Sequence, residues 1–222
     1  MKAIAIDGPA GAGKSSIARK TAAALGYIYV DTGALYRTIG YFALSKGADL
    51  HDETAIQGLL LGARIELRFI DTEQRVFLND TDVTAKIRTE PVSMAASAVA
   101  AFPSVREFLL SLQRSIAQQN NVVMDGRDIG TVILPAADVK IFLTASPEER
   151  ARRRYEELVA KGVSADYDAV LEDLRRRDYD DSHRETSPLR MADDAIAVDT
   201  TGKTLDDAAD WVLNIIKEQL AK

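Results

Sequence analysis

The chain has 222 residues, no cysteine and two histidines, which excludes a disulfide scaffold and any cysteine-built metal site. Its 28 basic and 34 acidic side chains leave a formal charge of -6, which argues against holding a nucleic-acid polymer through the overall field. No apolar run nears the roughly 20 residues of a membrane span, and the start, Met1-Lys2-Ala3-Ile4-Ala5-Ile6-Asp7, meets an acid before any signal-peptide core develops. The expectation is one α/β unit over 1–222, monomeric and cytoplasmic, with neither a membrane nor a nucleic-acid polymer as partner.

Taken in chain order, Ala3 to Ile6 predicts a buried strand. Directly after it comes Gly8-Pro9-Ala10-Gly11-Ala12-Gly13-Lys14-Ser15, with Ser16 as a further loop position, which fits G-x-x-x-x-G-K-[ST] with a strand before and a helix pattern after. Glycines there let successive backbone N–H groups face phosphate oxygens, and the helix adds the positive end of its dipole. Lys14 is placed to reach the β and γ phosphates of a nucleotide, and the Ser15 hydroxyl to lie in or near the shell of a Mg2+ ion. A second strand, Tyr27 to Val30, runs into Asp31-Thr32-Gly33-Ala34-Leu35-Tyr36-Arg37. Ligands gather at the carboxyl ends of strands in an open α/β sheet, which puts Arg37 in the same crevice.

Residues 64–70, RIELRFI, break the α/β alternation. Ile65, Leu67 and Phe69 alternate onto one face, and Arg75 to Leu78 returns after the polar turn Asp71-Thr72-Glu73-Gln74, so a small antiparallel insertion extends to about Arg88. Ser104-Val105-Arg106-Glu107 follows Pro103 with S-x-x-E spacing, which predicts Ser104 as the cap of a helix through Phe108, Leu109 and Leu112. The strand Val122-Val123-Met124 ends in Asp125-Gly126-Arg127-Asp128. An apolar strand closing on a carboxylate is the form that sets Asp125 beside Mg2+, with Gly126 permitting a tight turn.

Val139 to Leu143 predicts a fourth strand. Ser146-Pro147-Glu148-Glu149 then caps a helix that Gly162 can end. Arg150, Arg153 and Arg154 fall at i, i+3 and i+4 on that helix and share a cationic face, and Arg177, Asp181 and Arg184 share another at i, i+4 and i+7. Either face is also what a solvated, salt-bridged helix looks like. Ile196 to Val198 makes a fifth strand, and a last helix after Thr204 is expected to carry Trp211, Leu213 and Ile215 or Ile216 inward. Five nearly continuous apolar strands with helices between them read as a parallel sheet covered on both faces.

A phosphate loop does not by itself separate kinases, GTPases, ATPases and proteins that only bind nucleotide. An Asn-Lys-x-Asp guanine-reading motif is absent from the sequence, and Asp199-Thr200-Thr201-Gly202 stands too near the C-terminus for a GTPase switch. The combination GPAGAGKSS, DTGALYR, ASAVAAFPSVRE, DGRDIGTVI, KIFLTASPEERARRR and RRRDYDDSHR resembles the bacterial cytidylate kinases, in order and over nearly the whole chain. The resemblance implies a nucleoside monophosphate kinase fold that moves the γ-phosphoryl group of ATP to CMP or dCMP, giving ADP and CDP or dCDP. It also implies a core of about 1–36, 99–146 and 163–222, a monophosphate-binding part with the β insertion over about 37–98, and a lid over about 147–162.

Carried over by position, Ser97, Arg106 and Asp128 resemble the residues that read cytosine, and Arg37 and Arg127 those that hold the CMP phosphate. Arg177, Asp181 and Arg184 resemble the sugar- and phosphate-contacting set, Arg150, Arg153 and Arg154 fall in the lid, and Thr32 keeps the hydroxyl found at its place. The chemistry agrees for the base: a carboxylate accepts from cytosine N4 and an arginine donates to N3, while uracil reverses both. Lys14, Arg127 and the three lid arginines would spread the transferred charge. The competing readings are a kinase for another nucleoside monophosphate or small acceptor, such as one of the shikimate type, and an inactive nucleotide-binding regulator.

Overall fold

The computed structural model describes residues 1–70 and 73–221. In chain order its elements are β1 (Ala3–Asp7), α1 (Lys14–Leu25), β2 (Ile28–Asp31), α2 (Thr32–Ser45), α3 (Glu53–Leu60), β3 (Ile65–Ile70), β4 (Glu73–Leu78), β5 (Thr81–Asp82), α4 (Glu90–Val99), α5 (Pro103–Gln119), β6 (Val122–Gly126), β7 (Val139–Thr144), α6 (Pro147–Ala160), α7 (Tyr167–His183), β8 (Ile196–Asp199) and α8 (Leu205–Leu220). A 3-10 turn covers Lys86–Arg88 and a π-helical turn Ile129–Ile133.

The five expected strands pair in the order β2-β6-β1-β7-β8, all parallel. β1 is central because Ile4, Ala5 and Ile6 can be buried on both faces. Side chains alternate across a strand: Ile4 and Ile6 pack with Ile17 of α1 and Val212 and Ile216 of α8, while Ala5 faces Val30, Met124 and Ile129 on the other side. Three neighbouring strands, β2, β6 and β1, carry an aspartate at or one residue before their carboxyl end. Asp31 pairs in register with Asp125, and Asp7 with Gly126, so three carboxylates gather at one end of the sheet.

The antiparallel insertion is present as β3-β4-β5, with Ile65 opposite Leu78. A second core of Leu35, Ile39, Ile56, Val76, Val83 and Val99 ties it to α2, α3 and α4. Glu73 and Gln74, expected in the turn, already belong to β4 and pair with Ile70 and Phe69; Asp71 and Thr72 lie outside the described residues. The boundary drawn at 36/37 falls inside α2 rather than between elements.

Two local expectations need correction. α5 starts at Pro103 with Phe102 as its N-cap, because proline's fixed φ suits the first helical position and starts the helix two residues early. Ser104 therefore caps nothing; its backbone N–H and hydroxyl both donate to Glu53 Oε1 of α3, at 3.3 and 2.9 Å. In α8 the buried face is Ala208, Val212 and Ile216, while Trp211 is 39% exposed beneath the Lys203 ammonium at 5.0 Å. The small alanine starts the inward stripe, and the amphipathic indole stays at the surface. The other boundaries hold: Ser146 and Thr204 accept from Glu149 and Asp207 backbone N–H groups as N-caps, and Gly162 takes φ 73° just past α6. Among the described residues no single helix is long and apolar enough to cross a membrane.

Candidate active site

The phosphate loop connects the end of β1 to the start of α1, so the helix N-terminus opens at the carboxyl end of the sheet. Gly8 has to be glycine: at φ 149° its Cβ would stand 1.9 Å from the carbonyl oxygen of Leu143 in β7. Gly13, at φ 86°, turns the chain into α1. Lys14 is 6% exposed and its Nζ donates to the Pro9 carbonyl at 2.7 Å, back onto its own loop. Burial, and then Arg127, pushes the Lys14 pKa down to about 7.

Next to it, Asp125 Oδ2 accepts from the Ser15 hydroxyl at 2.8 Å and Oδ1 from the Tyr29 hydroxyl at 2.9 Å. Burial and the nearby Asp31 raise the Asp125 carboxyl, against Lys14 and these two hydroxyls. Ser15 and Asp125 thus bring two hard oxygens together. That donor set suits Mg2+, which takes one or two protein oxygens and fills its octahedron with phosphates and water. Ser16 is exposed on α1. The Thr32 hydroxyl donates to the Asp125 carbonyl at 2.7 Å and so holds the strand end rather than pointing away from it.

The other residues expected at the site form a set of interlocked ion pairs. Asp31 caps α2 through the Ala34 N–H at 3.0 Å and meets Arg37 at 2.7 Å and Arg88 at 3.2 Å. Burial works to raise its carboxyl, but the two arginines prevail and hold it below the usual range. Arg106 pairs with Asp128 at 2.5 Å, both buried, and its other nitrogen donates to the Ala100 carbonyl at 3.0 Å. A cavity of about 260 Å3 opens at this pair, lined by Tyr36, Arg106, Leu110, Gln113, Asp128 and Ile133 among others. Arg127 Nε donates to Asp181 at 2.7 Å, and Arg184 approaches Asp181 at 3.4 Å and Asp128 at 3.8 Å. Burial opposes the Arg127 charge, and Asp181 more than restores it; for Arg177, burial and Arg127 together lower the pKa.

A match to the family model described as cytidylate kinase covers residues 4–218. The chain belongs to the cytidylate kinase family. Curated cytidylate kinases agree: that of Leuconostoc mesenteroides is 53% identical over 98% of this chain and 97% of its own length. The Bacillus subtilis protein is 50% identical over 97% and 96%. Among solved structures, a gluconokinase from Sinorhizobium meliloti superposes with a TM-score of 0.50 at 17% identity, covering 99% of this chain and 95% of that one, a likeness of fold alone.

Within this cytidylate kinase family member, the residues expected to act together do not all meet. Arg37, Arg106, Arg127, Asp128, Arg177, Asp181 and Arg184 sit in or beside one crevice, whereas Ser97 is exposed on α4 with no hydrogen bond to Arg106 or Asp128. The three arginines of α6 diverge. Arg150 is buried and donates to the Ala145 and Ala10 carbonyls at 2.9 and 2.8 Å and to Asp178 at 2.6 Å, fastening α6 to the phosphate loop and α7. Arg153 turns to the Thr200 carbonyl at 2.8 Å and Glu149 at 3.0 Å, and Arg154 spans to Glu90 of α4 at 3.1 Å.

Gly126 differs from its expected role too. Its φ is not in the left-handed region; space demands the glycine, since a Cβ would stand 2.6 Å from Ile129 and 2.8 Å from the Thr32 hydroxyl. Sequence reasoning missed Asp7, Arg88, Tyr36 and Asp178, and did not single out Asp31. One signal could have found Asp7 and Asp31: both end an apolar strand with an aspartate, the same pattern that singled out Asp125.

Proposed function

We propose that this cytidylate kinase moves the γ-phosphoryl group of ATP to CMP or dCMP across this one crevice, as a cytoplasmic monomer. The observation that carries the assignment of parts is the buried Arg106–Asp128 pair at the mouth of the cavity between α2, α5 and the turn after β6. Asp128 accepts from cytosine N4 and Arg106 donates to N3, with Ser97 added when the 37–98 part closes on the base. Uracil would set an acceptor against Asp128, and a buried polar mismatch supports discrimination on the order of 10⁴.

Gly8, Pro9, Ala10, Gly11, Ala12, Gly13, Ser15 and Ser16 hold the ATP phosphates, and Lys14 leaves the Pro9 carbonyl to pair with them. Mg2+ would be held by Ser15 and Asp125 with phosphate oxygens and water, and when bound it neutralises charge on the β and γ phosphates. Arg37 and Arg127 orient the CMP phosphate, whose second pKa of about 6 already makes it a nucleophile at neutral pH without a general base. Arg177, Asp181 and Arg184 contact the sugar and the phosphates, and Thr32 supports the site through the Asp125 carbonyl. Arg150, Arg153 and Arg154 belong to the lid over 147–162, whose closure excludes water and limits hydrolysis. Catalysis is then alignment of two mutually repelling anions and charge neutralisation by Lys14, Arg127 and the lid.

ATP consumption with Mg2+ against CMP, dCMP, UMP, AMP, GMP and shikimate tests this directly. Rapid turnover is expected with CMP and dCMP only. Faster turnover with any other acceptor overturns the base assignment.

A further inference from the structure

Asp7 is a buried carboxylate with no place in the reaction described above. It closes β1 and immediately precedes Gly8, the first residue of the phosphate loop. Its side chain is 5% exposed, and it takes no arginine or lysine as a salt-bridge partner among the described residues. Instead its two oxygens accept successive backbone N–H groups from the turn after β6: Oδ1 from Ile129 at 2.8 Å and Oδ2 from Gly130 at 2.7 Å.

Those two amides open the π-helical turn that begins one residue after Asp128. A buried N–H left without an acceptor is costly, and two N–H groups converging on one carboxylate fix both position and tilt. The fit is close on its other side as well. A Cβ on Gly130 would lie 3.3 Å from Asp7 Oδ2 and 3.1 Å from Lys140 Cδ. A side chain after Ile129 would thus need Asp7 or the Lys140 side chain to give by a few tenths of an ångström.

We propose that Asp7 is a positioning residue for the acceptor nucleotide: it anchors Ile129 and Gly130 and so holds Asp128, with Arg127 before it, at the geometry that reads cytosine and its phosphate. The same carboxylate stands on the strand that launches the phosphate loop, so the donor side carries the anchor of the acceptor-reading turn. The proposal rests on the assignment of Asp128 to the base.

Steady-state kinetics on the full chain test it. Asp7→Asn keeps the volume but can satisfy only one of the two N–H groups, and its own NH2 opposes the other. The KM for CMP is expected to rise about tenfold or more, and the CMP-over-UMP ratio of kcat/KM to fall, while the KM for ATP stays within about twofold. An unchanged KM for CMP, or an ATP KM that rises equally, overturns the positioning role. Asp128→Ala, run alongside, separates the two claims. If it lowers the CMP-over-UMP ratio and Asp7→Asn does not, positioning alone fails; if Asp128→Ala leaves the ratio intact, the base assignment fails. Should Asp7→Asn not fold, Gly130→Val decides, since a branched side chain exceeds the room left beside Asp7 Oδ2 and Lys140 and presses the turn away from the carboxylate: a raised CMP KM with an unchanged ATP KM supports the role, and an unchanged CMP KM overturns it.

Discussion

The proposed donor half of the crevice comes from consecutive residues, Gly8 to Ser15, whereas the proposed acceptor half collects Arg37 from α2, Arg106 from α5, Asp128 from the turn after β6, and Asp181 and Arg184 from the end of α7. The two halves are also held differently. In the donor half the geometry is backbone geometry, set by glycines such as Gly8 that no other residue can replace, and its one cation rests on a carbonyl of the same loop. In the acceptor half no backbone motif recurs; cations and carboxylates from separate elements neutralise one another at 2.5 to 3.8 Å. A contiguous loop can be preorganised before any ligand arrives. A set of paired charges has to exchange internal partners for those of the ligand, which favours an acceptor carrying both a base edge and a phosphate over either piece alone.

Substitutions should therefore fail differently in the two halves. The largest effect is expected for Lys14→Ala, which removes the cation of the donor loop: turnover should fall about 10²- to 10³-fold with every acceptor, as read by ADP release. Near-normal turnover would refute the assignment of the loop. Asp128→Ala should instead be selective, cutting the CMP-over-UMP ratio by about 10²-fold while ATP affinity changes little. Because Arg106 would be left buried without its carboxylate, about 3 kcal/mol of stability should go with it, measured by urea unfolding.

A pH comparison sharpens the contrast at Asp7, the carboxylate that belongs to both halves. Burial pushes its pKa up to about 6, from 3.8 in the unfolded chain. The folded chain thus holds this proton more tightly, so the contribution is full below about 3.8 and is lost as pH rises to about 6, by at most about 3 kcal/mol. Asp7→Asn should compare more favourably with the unsubstituted chain at pH 7 than at pH 4. Denaturation midpoints that shift in parallel across that window would contradict the burial argument. The smallest effect is expected at Ser97, exposed on α4. If closure brings its hydroxyl to the base, Ser97→Ala should raise the CMP KM by roughly two- to tenfold, the worth of one neutral hydrogen bond; no change would remove Ser97 from the base-reading set.

The same division explains which parts of the molecule were legible in the sequence. The five strands were readable because buried parallel strands are uniformly apolar, and the loop because its function demands a fixed spacing. Ser146 and Thr204 were readable as caps, since capping is decided within four residues. Ser104 failed by the same local logic, because Pro103 started the helix first and Glu53, far away in sequence, took the hydroxyl. Trp211 failed because hydrophobicity alone did not say which of two adjacent stripes of α8 faces β1. The three arginines of α6 share a helical face, yet one is buried against the phosphate loop, one turns to the loop after β8 and one reaches α4.

By itself the sequence determined the strand and helix succession, the phosphate loop and the residue types of the acceptor set, since each depends on local periodicity or on chemistry carried by neighbours in the chain. Only the tertiary structure decided which charges face each other: that Asp31 answers to both Arg37 and Arg88, that Arg106 closes on Asp128, and that Asp7 of β1 holds the turn that leads from β6 to β7. Pairings of this kind form through space between elements whose separation along the chain carries no trace of their contact, and only the order of strands in the sheet brings them together.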